Sequence, residues 1–160
     1  MTNPFPTMRL SQHFKLWELC RSDTADRLQI DNDPVAAGDD IVQNLRDVAL
    51  NILEPVRQAF KKPFIPNSGY RSFYLNKVIG GAKNSQHVKG QAVDFELPGI
   101  ADIELARWIA DNLEFDQLIL ECYQPGFSNS GWVHCSYRTD RNRGEILTYS
   151  GRRYFQGLQG

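Results

Sequence analysis

Residues 85–94 read Ser85-Gln86-His87-Val88-Lys89-Gly90-Gln91-Ala92-Val93-Asp94, the pattern S-x-H-x-x-G-x-A-x-D, and further along the chain reads Trp132-Val133-His134. From Ala92 the alternation is that of a strand, with Val93, Phe95 and Leu97 on one face and Ala92, Asp94 and Glu96 on the other. An ionised carboxylate inside the run Ala92-Val93-Asp94-Phe95 is costly unless it is paired or binds a metal. Gly90 lets the chain turn sharply after the loop that carries His87, and the small Ala92 leaves room beside an ion. If the run Trp132-Val133-His134-Cys135-Ser136 pairs nearby as a strand, His134 shares a face with Trp132 and Ser136 and points to the same place. Taken singly, each histidine also fits an ordinary hydrogen-bonded polar residue. Together, His87, Asp94 and His134 make a three-ligand set, which leaves one position of a tetrahedral ion free for water. That is the arrangement of a hydrolytic site rather than of a closed structural one.

The 160 residues, 41% of them hydrophobic, suit one compact domain with its own core, so the expected organisation is a single domain over residues 1–160. An N-terminal arm would occupy residues 1–12 and a basic segment residues 139–160. A net charge of -1 and no long basic run give no footprint for nucleic acid or an anionic membrane. Arg138, Arg141, Arg143, Arg152 and Arg153 nevertheless make the tail locally basic, a solvated surface or a contact for an anionic partner. No stretch approaches the roughly 20 apolar residues of a membrane span, and residues 1–6 lack the basic start and apolar centre of a signal peptide. The expectation is a protein kept in the cytoplasm of the producing cell. Cys20, Cys122 and Cys135 are odd in number and widely spaced, which reads as buried thiols rather than disulfides or a thiolate metal site. Cys135 follows a candidate ligand, but adjacent strand residues face opposite ways.

Working outward, Ser11 would cap a short helix through Leu16, Trp17 and Leu19, and residues 22–37 read as a loop. The strongest helical pattern runs over residues 39–61, where Ile41, Leu45, Val48, Ala49, Ile52, Leu53, Val56 and Phe60 form one apolar stripe. Pro55 predicts a kink or an early break within it. Residues 62–66 read as a short strand leading to a turn at Asn67-Ser68-Gly69. A short helix follows over residues 73–78, stopping at Gly80-Gly81. A second amphipathic helix covers residues 102–113, and strands cover residues 92–97, 117–123, 132–138 and 145–149, with the loop of residues 124–131 between two of them. Helices first and strands later predict an α+β domain with an antiparallel sheet.

The S-x-H-x-x-G-x-A-x-D segment, the preceding Ser68-Gly69-Tyr70-Arg71-Ser72 and the later Trp132-Val133-His134 resemble the zinc D-Ala-D-Ala carboxypeptidase and L-alanyl-D-glutamate endopeptidase superfamily, whose fold is shared with hedgehog signalling domains. The resemblance spans residues 13–137. It implies one zinc ion held by His87, Asp94 and His134, and cleavage of peptide bonds in bacterial peptidoglycan stems. Many small members are bacteriophage lysins or virion components, which adds virion proteins as partners. Arg71 matches the family's arginine, which contacts substrate and steadies negative charge on the attacked carbonyl, a task suited to a fixed planar cation. Its other reading is a surface ion pair or a helix-start residue. Ser85 either binds substrate or braces the His87 loop. Relatives place an acid three residues before the last histidine, or a histidine two before it, where this chain has Gly131 and Trp132. Glu121, which interrupts Leu118-Ile119-Leu120-Glu121-Cys122, is then the leading general base, with a half-exposed strand residue as its other reading. Glu96 and Asp116 are weaker candidates. The alternative function is a non-catalytic zinc module used as a structural or binding part of a particle, and iron is the lesser choice of metal.

Overall fold

The computed structural model describes residues 7–127 and 130–160. The beginning of the expected N-terminal arm, residues 1–6, and residues 128–129 of the loop before the last histidine lie outside them. The chain forms an α+β domain in which helices cover one face of a five-stranded sheet and a cleft occupies the other. The helices are α1 (Asp23–Leu28), α2 (Pro34–Ala37), α3 (Asp39–Val48), α4 (Glu54–Phe60), α5 (Phe73–Val78) and α6 (Asp102–Asn112). The strands are β1 (Ala92–Phe95), β2 (Gln117–Glu121), β3 (Trp132–Ser136), β4 (Glu145–Ser150) and β5 (Arg153–Gln156), in the spatial order β1-β3-β2-β4-β5.

The long apolar stripe buries as expected: Leu45, Val48, Ala49, Ile52, Leu53 and Val56 are fully enclosed. The helix neither breaks nor ends at Pro55. A π turn over Ala49–Leu53 joins α3 to α4, and the Glu54 N–H reaches back five residues to the Ala49 carbonyl. Widening the helix just before a residue that has no N–H and whose ring crowds the preceding turn accommodates the proline in place.

Several local expectations are corrected. Residues 22–37 are not a loop throughout: Ser22 caps α1 by accepting from the Ala25 N–H, and Asp33 caps α2 with Pro34 at its first turn. Both are start signals, but the helices they open, of 6 and 4 residues, are too short to show an apolar period. Ser11 caps nothing; its hydroxyl donates to Glu54 at 2.6 Å, and the short 3-10 turn Leu16–Leu19 starts from Lys15. Residues 62–66 form no strand, since Pro63 and Pro66 offer no ladder donors; only Ser68 bridges to Asp94. A further strand, β5, follows β4 as a hairpin.

The sheet is antiparallel except where β4 runs parallel to β2. Strand β3 descends beside β2 and ends opposite its start. Residues 137–144 then cross beneath β2, so that β4 must climb its far edge in the same direction. Alternation along the central strands separates two environments. Val93, Phe95, Leu118, Leu120, Val133 and Cys135 enter the core with α3 and α6, while Asp94, Gln117, Ile119, Glu121, Trp132 and His134 line the cleft.

Candidate metal centre and its cleft

Antiparallel pairing sets Asp94 directly opposite His134, where cross-strand side chains are neighbours, and the Asp94 Oδ1 lies 2.9 Å from His134 Nδ1. His87 arrives from the 3-10 turn Gln86–Lys89. Ser85 starts that turn by accepting from the His87 N–H at 3.2 Å, and Gly90 ends it at φ +70°. A Cβ on Gly90 would lie 2.8 Å from the Ile41 carbonyl oxygen, so this turn can press against α3 only with glycine there. The His87 Nε2 then sits 3.3 Å from Asp94 Oδ2. One ligand atom from each of the three residues falls within 4.8 Å of the others.

The protonation of this cluster points to a cation. His87 Nδ1 is 2.7 Å from the Gly69 carbonyl, a contact that requires Nδ1 to carry the proton and donate. In neutral His87 the Nε2 lone pair therefore faces the Asp94 carboxylate. Burial lowers the His87 pKa, against the opposing pull of Asp94, and so disfavours a second proton on the ring. Burial alone would raise the Asp94 pKa, but attraction to His87 when that ring is protonated, together with the His134 contact, holds it well below the usual carboxylate range. Two acceptors converging in a dry pocket are what a metal ion satisfies, with the Gly69 carbonyl fixing the ring behind its ligand.

Arg71 joins the same group from Ser68-Gly69-Tyr70-Arg71. This segment is laced to β1 by Asn67 N–H to Asp94 O (2.7 Å) and Asp94 N–H to Ser68 O (2.8 Å), and to the His87 turn by Arg71 N–H to His87 O (3.1 Å). Gly69 passes so near Leu19 that a Cβ would lie 2.2 Å from its carbonyl oxygen. The Arg71 side chain donates from Nε to Ser68 Oγ, from one terminal nitrogen to Asn76 Oδ1 and from the other to Asp94 Oδ2 at 3.3 Å. Burial lowers its pKa while Asp94 and Glu121 oppose that shift. Two supporting residues were missed in the sequence. Asn32 holds the Tyr70 carbonyl and the Ser72 N–H, and Asn76 holds both Arg71 and the Ala82 carbonyl. A lone asparagine in a loop or short helix gives no local sign of such a bracing role.

Arg71, Ser85, His87, Asp94, Glu121 and His134, all singled out from sequence, line one cavity of about 510 Å³. Glu121 ends β2 opposite Trp132. Burial and the nearby Asp94 raise its pKa, partly offset by His134 and Arg71. Of the weaker candidates, Glu96 is exposed and lines a separate hollow beside Asp102, and Asp116 is fully buried and consumed by bonds to Arg143 and Gln86. Position 131 is closed to an acid. Gly131 has φ +77°, and a Cβ there would lie 2.1 Å from the Glu121 carbonyl oxygen. Cys135 is buried on the core side, away from the cluster. Tyr154, from the unforeseen β5, and Lys89, Arg138 and Arg143 complete much of the remaining wall.

A sequence model described as Peptidase M15 matches residues 12–136, most of the chain and every residue of the metal cluster. The chain belongs to the peptidase M15 family. Membership makes it a metallopeptidase by family, and among the described residues His87, Asp94 and His134 form a group that could hold a metal ion. No individually curated protein matches it closely enough to count as a relative. No helix among the described residues is long and apolar enough to cross a membrane.

Proposed function

We propose that this M15 metallopeptidase holds one zinc ion through His87, Asp94 and His134 and cleaves peptide bonds in bacterial peptidoglycan stems, as a D-Ala-D-Ala carboxypeptidase or an L-Ala-D-Glu endopeptidase, in the setting of a phage lysin or virion hydrolase. The observation that carries the metal is the convergence of the His87 Nε2 lone pair and the Asp94 carboxylate at 3.3 Å. Two acceptors so placed, with His134 beside them, would be satisfied by a bound cation. When bound, zinc supplies a Lewis acid that polarises a carbonyl and acidifies water. The chain's own residues do the rest. Glu121, poised across the cleft with a raised pKa, takes a proton from the attacking water and returns it to the leaving amine. Arg71, anchored on Ser68 and Asn76, keeps its charge at the wall of the cleft and steadies the oxyanion that develops. Ser85 braces the His87 turn through its hydroxyl and also lines the cleft.

Peptidoglycan as substrate rests on the resemblance of the Ser68–Ser72 and 85–94 motifs to the stem-cleaving superfamily. Digestion of purified peptidoglycan by zinc-loaded protein, with mass spectrometry of the products, tests the reading beside a chelated control and Glu121→Ala. Release of D-Ala or of cut stems by the loaded wild type alone supports it and names the bond. Stoichiometric zinc with no release would instead favour a non-catalytic zinc module.

A further inference from the structure

The family match ends at residue 136, but the cleft does not. Strands β4 and β5 follow as a hairpin, and β5 forms an edge of the sheet. Its turn is Gly151-Arg152, both at positive φ (+58° and +64°), between the paired Ser150 and Arg153. Two such central residues give the turn whose twist matches that of the flanking strands. Thr148, buried on the opposite face, donates to the Gly157 carbonyl at 2.8 Å and accepts from the Gln159 N–H at 2.9 Å, which fastens the end of β5.

Register carries this hairpin into the site. Trp132 pairs with Glu121, Glu121 with Tyr149 and Tyr149 with Tyr154. Directly paired residues share a face, and neighbouring strands lie about 4.8 Å apart, so the four side chains form one row across the cleft side of the sheet. Trp132, Glu121 and Tyr154 line the metal cleft itself. Tyr149 and Tyr154 stand together, with ring centroids 4.7 Å apart and planes at 47°. Burial, and then the charge of Glu121, raises the Tyr154 pKa, so the phenol keeps its proton. Tyr154 is nevertheless 63% exposed, and most of its surface is left uncovered by the described chain. A ring fixed by register beside a reaction cleft offers a partner an apolar face and a polar tip.

We propose that Tyr154, backed by Tyr149, stacks on a sugar ring of the substrate, so that the enzyme prefers stems still attached to their glycan over free peptides. This rests on the peptidoglycan reading above and deepens it. The chemistry of the row selects among the groups that such a substrate presents. An ammonium suits aromatic faces, but the exposed Arg152 and Arg153 flank Tyr154 on the same hairpin, and the one carboxylate of the row, Glu121, is the proposed base. An alkyl side chain calls for an enclosed pocket free of hydroxyls, and this wall is an open edge. A pyranose presents a flat C–H face rimmed by hydroxyls, which matches a tyrosine ring and its phenol. Both tyrosines lie beyond the matched segment, so the subsite is not carried by the residues that the family model matches.

The test compares a disaccharide-linked stem peptide with the same stem lacking its sugar, using zinc-loaded protein. Covering roughly 50 Å² of ring face corresponds to about tenfold in binding. The wild type should therefore favour the sugar-linked stem by about that factor in kcat/KM, mainly through KM. Tyr154→Leu should bring the ratio close to one, and Tyr154→Phe should keep most of it, because the ring carries the contact. Melting curves and zinc content verify that both variants fold. Equal rates on the two substrates in the wild type, a preference that survives Tyr154→Leu, or an equal fall on both substrates in that variant would overturn the assignment. So would a Tyr154→Phe variant as impaired as Tyr154→Leu. Should neither substrate be cut, the peptidase reading fails separately, and calorimetric titration of the same pair decides on Tyr154. Tighter binding of the sugar-linked stem that Tyr154→Leu removes supports the assignment; equal binding in the wild type, or a preference that the variant retains, overturns it.

Discussion

Asp94, within β1, and Asp102, at the start of α6, are similarly hidden, 8% and 2% exposed, yet they have opposite chemistry. Asp94 faces two imidazoles and the Arg71 guanidinium and is held ionised. Asp102 sits in the first turn of α6 with its Oδ1 unpartnered among the described residues; burial, and then Glu96, push its pKa up to about 7. A buried carboxylate must find donors or give up its charge. Glu54 and Asp116 extend the comparison. Glu54 is saturated by the Ser11 hydroxyl, the His13 N–H and His13 Nδ1, and Asp116 by Arg143 and Gln86. What separates a site from a structural acid is therefore not burial. It is the presence of partners that also have lone pairs to offer, at the wall of a cleft. Of these four acids, only Asp94 has two imidazoles as such partners.

The comparison breaks most easily at Asp94 itself. Asp94→Ala should lower zinc affinity by more than the roughly 10–100-fold that even residues behind a metal ligand command, and should abolish peptide cleavage. Chelator competition reads the first effect and product analysis the second; a variant that still binds zinc tightly would move the metal elsewhere. Glu121 is an intermediate case, half-buried and raised in pKa by burial and by Asp94. Glu121→Gln should cut turnover by about 10²–10⁴-fold while the bound zinc stays stoichiometric. Loss of metal together with activity would instead make Glu121 part of the ion's cage.

Effects on stability are smaller. Glu54→Ala leaves the Ser11 hydroxyl and the His13 N–H without their acceptor, and should cost about 1–3 kcal/mol in urea unfolding. Asp102→Asn should act the other way. Its folded pKa, about 7, exceeds the ordinary 3.8, so the folded protein binds more protons than the unfolded chain between those values. That contribution is fully present below about pH 4 and disappears as pH rises through 7. At pH 8 the variant should gain about 1 kcal/mol, or about 2–4 °C in Tm, and the gain should shrink towards pH 5. Melting curves of wild type and variant across that range, both chelated, isolate this group from Asp94, Glu54 and Asp116, whose depressed pKa values give the opposite slope. A gain that does not change with pH would mean that Asp102 is ionised throughout.

Much of the site could be read locally. The cap at Ser85 and the left-handed Gly90 shape the His87 turn, and alternation puts Asp94 and His134 on the polar faces of their strands while Cys135 turns into the core. These features depend on neighbours in the chain, where backbone conformation and side-chain direction are coupled. The α+β class and the long apolar stripe through Val56 followed from periodicity in the same way. Helices α1 and α2 and strand β5 did not, being too short or too exposed to carry a period.

Contacts between distant segments decided the rest, because no local rule sets which strand neighbours which or in what register. Pairing placed Asp94 opposite His134, and the crossing of residues 137–144 beneath β2 made one pair of strands parallel. The same crossing brought Arg143 onto Asp116. The close approach of Gly131 to the Glu121 carbonyl closed position 131 to an acid, and Glu121 faces the cleft. By itself, the sequence determined which side chains were available for chemistry, since residue type and local conformation are properties of neighbouring positions. The tertiary structure decided which of them meet, because packing and strand register join parts of the chain that are far apart in sequence.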